Sequence, residues 1–411
     1  MHILLISAFY PPYVVGGWEQ LVQDINHSLQ KRGHSTLVLT SNYGVPLESG
    51  VEPGVERKLW LESDLFSYRP LDFFLKHRPR LERNLLVTRQ TIEQFNPDVI
   101  FIHVMWNLTR GIAWVSEQLR PGRVVYYIAN DWPYAVDPHR AYWLDPAYRG
   151  GRKIVKQLLA PFALQILNRK SEAFPLRFEH VLCVSQAIRE DLAQRAGIPV
   201  ENMQVVYNGV ETELFLPSDS PACKNGHLAL LYAGSLVPHK GVHTAIEAMA
   251  LLAKQPELEQ LSLTLVGSGH PDYEAHLRKR VAEAGLTERV HFQQRVSRHE
   301  MPALLQKFDV LVFPSIWKEP LARMTQEAMA AGLVVVGTPT GGTPEILKDG
   351  ETGLTFEPED AEGLAERLEL LYRDPEFRTK LAKRARQTVL EKFDFQRMID
   401  EIQDYLAILL R

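Results

Sequence analysis

Two glutamates, Glu319 and Glu327, bracket the stretch Glu-Pro-Leu-Ala-Arg-Met-Thr-Gln-Glu-Ala-Met-Ala-Ala-Gly that ends at Gly332. Ala328 to Ala331 favour helix, Gly332 is a natural stop, and Leu333 to Val336 reads as a buried strand. Glu319 is therefore expected just before a helix, and Glu327 about two turns into it. The free N–H groups of a helix start carry roughly half a positive charge and favour a phosphate. One carboxylate can then reach a sugar and the other a ribose, the chemistry of a nucleotide-sugar site. Acidic residues near a helix start also simply offset the macrodipole, so the surroundings of the pair matter. Downstream, Gly341-Gly342-Thr343-Pro344-Glu345-Ile346-Leu347 reads as a glycine-rich crossing into a second helix, and Asp349-Gly350-Glu351-Thr352-Gly353-Leu354 as a tight turn out of it.

Other reactive side chains fall at strand ends. Lys240 lies in Gly234-Ser235-Leu236-Val237-Pro238-His239-Lys240-Gly241, after a strand and before a helix. Gly16 and Gly17 precede a helix, where backbone without Cβ atoms can approach a diphosphate. Val266-Gly267-Ser268-Gly269 is a strand-to-helix turn, and Arg295-Val296 follows a strand. His103 ends one apolar run, and Asn130-Asp131-Trp132-Pro133 follows another. His103 and Asp131 read equally well as a core-edge histidine and a turn residue.

The elements that must position these residues alternate along the chain. Ile3 to Ile6 reads as a buried strand, Trp18 to Arg32 as an amphipathic helix stopped by Gly33, and Thr36 to Thr40 as the strand completing a βαβ unit. Apolar strands at Val99 to Val104, Val124 to Ile128 and Val181 to Val184 continue a parallel sheet. Glu211 to Gly226 lacks apolar periodicity and reads as a linker. A second set of strands follows at Leu228 to Ala233, Leu263 to Gly267, Val290 to Phe292, Val310 to Phe313 and Leu333 to Val336, with a capping box at Ser297 and Glu300. A chain of 411 residues, 45% hydrophobic and 23% charged, is long enough for two such cores. The net charge of −4 gives no case for a nucleic-acid partner. Two cysteines, Cys183 and Cys223, support neither a disulfide framework nor a cysteine metal site and fit a reducing cytosol. No run approaches the ~20 apolar residues of a membrane span. Asp-x-Asp pairs and Gly-x-Ser-x-Gly elbows are absent, so neither a metal site nor a serine nucleophile is expected. Arg149 to Lys170 interleaves Arg149, Arg152, Lys153, Lys156, Arg169 and Lys170 with apolar residues. It reads as an interfacial helix or as a surface helix covering the sheet.

Together the glutamate pair and the glycine runs resemble the C-terminal signature of glycosyltransferase family 4, the retaining enzymes of the GT-B fold. The resemblance spans nearly the whole chain, from Tyr10-Pro11-Pro12 with Gly16-Gly17, through Tyr207-Asn208-Gly209-Val210, to Gly353. It implies an α/β architecture of two Rossmann-like doubly wound parallel-sheet domains facing across a cleft. Residues 1–213 would form the acceptor-binding domain, with helix 394–411 packing back on it, and 214–393 the donor-binding domain. The implied function is transfer of a sugar from a nucleoside diphosphate sugar to a hydroxyl of a glycan, lipid-linked or small-molecule acceptor, with no cofactor and no metal. In that scheme Glu319 holds donor-sugar hydroxyls, Lys240 neutralises the leaving diphosphate, and Glu327 takes the ribose. Gly16, Gly17, Ser235, Gly267, Arg295, Val296, Leu321, Ala322 and Arg323 complete the donor site, while His103 and Asp131 join catalysis and Asn130, Asp131 and Trp132 meet the acceptor. Three positions depart from the pattern: Ser235 replaces an arginine, Ala322 a glycine, and Asn130 a histidine. They motivate a rival reading, a catalytically weakened sugar-nucleotide-binding or partner subunit. The expected location is cytoplasmic, with peripheral contact at the inner face of the membrane through 149–170.

Overall fold

The structure, a computed structural model, describes residues 1–410 apart from 15, 46–51, 66–67, 146–150 and 219–225; the side chains of 151–153 and 169–173 are also left undescribed. Cys223, Arg149 and much of the expected linker thus lie outside the described residues, as do the side chains of Arg152, Lys153, Arg169 and Lys170. The chain forms two compact units. The first comprises Met1–Val184, Arg189–Val206 and the end of the chain from Glu401; the second comprises Ser185–Ile188 and Tyr207–Asp400.

In the first unit, β1 (His2–Ser7), β2 (Ser35–Ser41), β3 (Val55–Leu59), β4 (Val99–Ile102), β5 (Val124–Ile128), β6 (His180–Cys183) and β7 (Met203–Val205) form one sheet in the order β3-β2-β1-β4-β5-β6-β7. Every pairing is parallel. The central runs are apolar on both faces because helices cover both sides. These helices are α1 (Trp18–Lys31), α2 (Pro70–Phe95), α3 (Gly111–Leu119), α4 (Pro138–Leu144) and α5 (Gly151–Ala173), followed by α6 (Gln186–Asp191), whose first residues belong to the second unit. α1 buries Leu21, Val22, Ile25 and Leu29, one stripe at helical spacing. β3 and β7 have no counterpart in the sequence reading. Val55-Glu-Arg-Lys-Leu59 is a polar edge strand, and Met203-Gln-Val205 is too short to show a period.

The second unit repeats the plan. β8 (Leu228–Ala233), β9 (Leu261–Val266), β10 (Val290–Gln293), β11 (Val310–Phe313), β12 (Val334–Gly337) and β13 (Leu354–Thr355) are ordered β10-β9-β8-β11-β12-β13, again all parallel. Around them lie α7 (Val242–Leu252), α8 (Pro271–Glu283), α9 (Met301–Leu305), α10 (Arg323–Ala330), α11 (Ala361–Arg373) and α12 (Pro375–Lys392), followed by α13 (Phe395–Ile408), whose residues from Glu401 belong to the first unit. The core joins Leu230, Leu263 and Val312 of the sheet to Ile246, Met249 and Leu368 of the helices. The Ser297–Glu300 capping box forms, opening a 3-10 turn that leads into α9. The second unit takes up the chain at Tyr207 for a structural reason. Gln326 Nε2 donates to the Asn208 carbonyl at 2.9 Å, and Val210 bridges Asp394, so this stretch is held on α10 and on the α12–α13 junction. Among the described residues no helix is long and apolar enough to cross a membrane.

In both sheets the strand order reverses beside the first strand, between β1 and β4 and between β8 and β11. Such a reversal opens a crevice at the carboxyl ends of the flanking strands. His103 follows β4 at this edge. It is 1% exposed, packed 4.3 Å from the Phe101 ring centroid and near Trp18 and Tyr127. Burial alone lowers its pKa to about 3, so the imidazole is neutral at pH 7. A depressed folded-state pKa leaves its stability contribution complete above the unfolded value near 6.5, and that contribution shrinks as pH falls toward 3. Between pH 7 and pH 5 the chain should lose about 2 kcal/mol of stability that His103→Gln does not lose. Urea unfolding at the two pH values measures this, and identical pH dependence of the two chains would refute the buried neutral histidine.

Candidate active site

The carboxyl ends of β8 and β11 carry the loops that hold Lys240 and Glu319. Backbone contacts interlock these loops. Gly241, at φ +64°, ends the 3-10 turn Pro238–Lys240, and a Cβ there would overlap the Pro314 carbonyl. Ile316 and Trp317 donate their N–H groups to the His239 carbonyl at 3.0 and 3.1 Å. The result sets Lys240 Nζ 2.5 Å from Glu319 Oε1, with Ser315 Oγ donating to the same oxygen at 2.7 Å. The side chains are 25% and 10% exposed, so the pair is partly desolvated yet open to a ligand. Ser235, exposed at the start of this loop, accepts from the buried Tyr232 hydroxyl through its carbonyl at 2.8 Å. Gly267 sits on the adjoining turn and donates its N–H to Gln293 O at 3.1 Å.

Gly341 and Gly342 have a different part from the one expected. They lead into a single 3-10 turn, Thr343–Glu345, and not into a full second helix. Their use is close approach. Gly342 N–H donates to the Glu319 carbonyl at 2.7 Å. A Cβ on Gly341 would overlap the Glu319 backbone, and one on Gly342 would overlap the Pro320 carbonyl. Glu319 is thus fixed by its backbone on one side and by Ser315 and Lys240 on the other.

α10 begins at Arg323, so Glu327 lies one turn into the helix and not two. Pro320 disfavours helical geometry at Glu319, and Ala322 is still extended (ψ 112°), which delays the start. No side chain caps this N-terminus, leaving its first N–H groups for an anion. Arg323 Nε is 3.0 Å from Glu327 Oε1, an (i, i+4) pair. Burial pushes the Glu327 carboxyl up, while Arg323 and Arg298 pull it down. Leu321 and Ala322 are buried, Arg295 is exposed and Val296 half-buried. Arg298, which the sequence reading passed over, is the second cation beside Glu327, and it pairs with Glu211 at 2.9 Å. Ser315 was missed as well. A serine two residues past a strand carries no signal until the loop brings it onto Glu319.

In the first unit, Gly16 N–H donates to Glu19 at 2.9 Å and Gly17 forms the N-cap of α1. Asn130 is half-buried, with Oδ1 3.4 Å from Trp132 N, and Asp131 is exposed. Trp132 lines a cavity of about 520 Å³ together with Glu62, Trp106, Arg110, Asp137 and Arg140. His103 lies apart from that lining. Arg110, set in Thr-Arg-Gly, belongs to no motif and was not anticipated; its guanidinium donates to the Pro133 carbonyl.

Residues 219–388 match the family described as Glycosyl transferases group 1, and residues 15–214 match the one described as Glycosyltransferase Family 4. Among curated relatives, the MMP alpha-(1->4)-mannosyltransferase of Mycolicibacterium hassiacum is 30% identical over 93% of this chain and 92% of its own. A glycogen synthase of Mycobacterium tuberculosis is 26% identical over 99% of this chain and 95% of its own. The solved structure of Anabaena HepE in complex with UDP superposes with a TM-score of 0.69 at 23% identity, covering 99% of this chain and 100% of that one.

Adding one methyl group behind Glu319 tests the loop geometry. Gly342→Ala should lower stability by about 1–3 kcal/mol through overpacking. Gly16→Ala, where a Cβ meets nothing within 4 Å, should stay within about 0.5 kcal/mol of the parent. Thermal unfolding compares them, and equal behaviour of the two variants contradicts the close approach.

Proposed function

Because this chain belongs to the group 1, family 4 glycosyltransferases, and is thus a glycosyltransferase of the GT-B fold, we propose that it transfers a sugar from a nucleoside diphosphate sugar to a hydroxyl acceptor with retention and without a metal. The observation that carries this reading is the Lys240–Glu319–Ser315 cluster at the β8/β11 reversal, in the same unit as the uncapped start of α10. Lys240 and the N–H groups of α10 supply the positive charge that a departing diphosphate needs, which a metal supplies elsewhere. Glu319 accepts hydrogen bonds from donor-sugar hydroxyls, and Glu327 accepts from the ribose. In the transfer the anomeric carbon's bond to the phosphate oxygen breaks and its bond to the acceptor oxygen forms on the same face. The acceptor proton passes to the leaving phosphate. Neutral His103 and the Asn130 amide then act as hydrogen-bonding groups and not as a general base near pH 7. The glycogen synthase and mannosyltransferase relatives and the UDP complex of the Anabaena protein support a sugar-nucleotide donor. The departures at Ser235, Ala322 and Asn130 leave the Lys240–Glu319 pair intact, and no observation favours the partner-subunit reading.

On this reading the acceptor is a glycan, lipid-linked or small molecule, and the cavity beside Trp132 in the first unit supports its binding there. A lipid-linked acceptor would meet the chain at a bilayer surface. Ile154, Leu158, Phe162 and Ile166 stand exposed on successive turns of α5, whereas Ala163 and Leu167 pack on Phe73 and Trp143. That apolar stripe supports peripheral contact of a cytoplasmic enzyme with the inner face of the membrane.

Thermal shift with UDP, GDP, ADP and TDP sugars should show stabilisation by one base class, since a ligand that binds only the folded state raises its stability. Lys240→Ala and Glu327→Gln should each abolish most of that shift and cut kcat/KM by about 100-fold, or ~2.7 kcal/mol; unchanged turnover would sink the assignments. Separately, Leu158→Glu with Phe162→Glu should reduce co-sedimentation with anionic vesicles while leaving the donor shift intact. Equal sedimentation of parent and variant removes α5 as the contact.

A further inference from the structure

Apart from the transfer chemistry, the first unit gathers a second set of reactive side chains. Glu62 follows β3, His77 lies on α2, and His139 is the second residue of α4. All three are buried, at 5%, 7% and 2% exposure. Glu62 Oε2 is 3.7 Å from His77 Nδ1 and 3.5 Å from His139 Nε2. One potential ligand atom from each residue lies within 4.8 Å of the other two.

We propose that Glu62, His77 and His139 bind a first-row divalent transition metal ion, with zinc as the best fit, at the wall of the acceptor cavity. The separations are long for direct hydrogen bonds, whose heavy atoms approach to about 2.7–3.2 Å. They are close to the edge of a tetrahedron with metal–ligand bonds of about 2.0–2.1 Å, which is about 3.3 Å. Two imidazoles and one carboxylate are a zinc donor set that leaves one position open. Glu62 also lines the 520 Å³ cavity, which gives an ion a way in and gives the fourth position a water.

The surroundings orient the ligands as metal sites do. Tyr68 Oη lies 2.8 Å from His139 Nδ1. With Nδ1–H donating to that oxygen, Nε2 presents its lone pair toward Glu62. Phe73 stacks on His77 at 5.1 Å and 26°, and its centroid is 4.9 Å from His139, providing an apolar shell. Asp137 caps α4 by accepting from His139 N and Arg140 N at 2.8 and 3.2 Å, which fixes the backbone under His139. The ligands are fifteen and sixty-two residues apart along the chain, so no sequence motif announces them. A bound ion would tie the segment after β3 to α2 and α4, the elements around the cavity.

The test uses the full chain, stripped with EDTA and titrated with Zn²⁺ and with Co²⁺ as a spectroscopic probe. The expected result is one ion per chain, a rise in Tm with Zn²⁺, and visible Co²⁺ bands of a four-coordinate site. Glu62→Gln should weaken Zn²⁺ binding by at least about 100-fold, given that even outer-shell changes cost 10–100-fold. His270→Gln, at an exposed histidine, should bind like the parent. No stoichiometric uptake by the parent chain, or full affinity in Glu62→Gln, overturns the proposal. Should Glu62→Gln fail to fold, X-ray absorption of the zinc-loaded parent decides. Two imidazole nitrogens at about 2.0–2.1 Å sustain the site, and a shell without imidazole refutes it.

Discussion

Reversal of strand order is the constraint on which the remaining architecture depends. A parallel sheet wound outward in both directions from one strand sends the two flanking connections to opposite faces, which opens a crevice at the carboxyl ends of β8 and β11, where their loops meet. Lys240 and Glu319 are seventy-nine residues apart in the chain and 2.5 Å apart in space because each leaves the sheet at that one point. The same reversal between β1 and β4 places His103 at the corresponding edge of the first sheet.

Precision at the crevice comes from backbone. The Lys240 loop is locked by Gly241 against Pro314 and by the His239 carbonyl, and the Glu319 segment lies flat on Gly341 and Gly342. Main-chain contacts lack rotamer freedom, so the loops fix where Lys240 and Glu319 start and only their side-chain rotamers remain to be ordered. The (i, i+4) pairing of Arg323 with Glu327 does the same on α10, where burial by itself would favour the neutral acid.

Much of this was legible from residue order. Continuous apolar runs such as Leu228–Ala233 and Val310–Phe313 appear as strands with the expected bounds, because buried parallel strands need apolar side chains on both faces. β3 escaped notice because an edge strand is polar, and β7 because three residues show no period. The depth of Glu327 in α10 was overestimated, one turn and not two, because Pro320 and the extended Ala322 hold the boundary at Arg323. The residue types at Lys240, Glu319 and Glu327 were readable; Ser315, Arg298 and Arg110 were not. Their roles come from long-range closure, and a lone serine or arginine in a loop carries no trace of it.

The Lys240–Glu319 pair also bears on what the site refuses. With its cation already matched by a carboxylate, the crevice offers less bare positive charge than its lysine suggests. A phosphate that draws Lys240 away leaves a partly buried carboxylate short of a partner. On the proposed reading a sugar nucleotide makes good that loss, since its hexose hydroxyls arrive at Glu319 as its diphosphate arrives at Lys240. Inorganic phosphate brings no such hydroxyls. On that reading the ion pair makes recognition of the two halves of the donor mutually dependent.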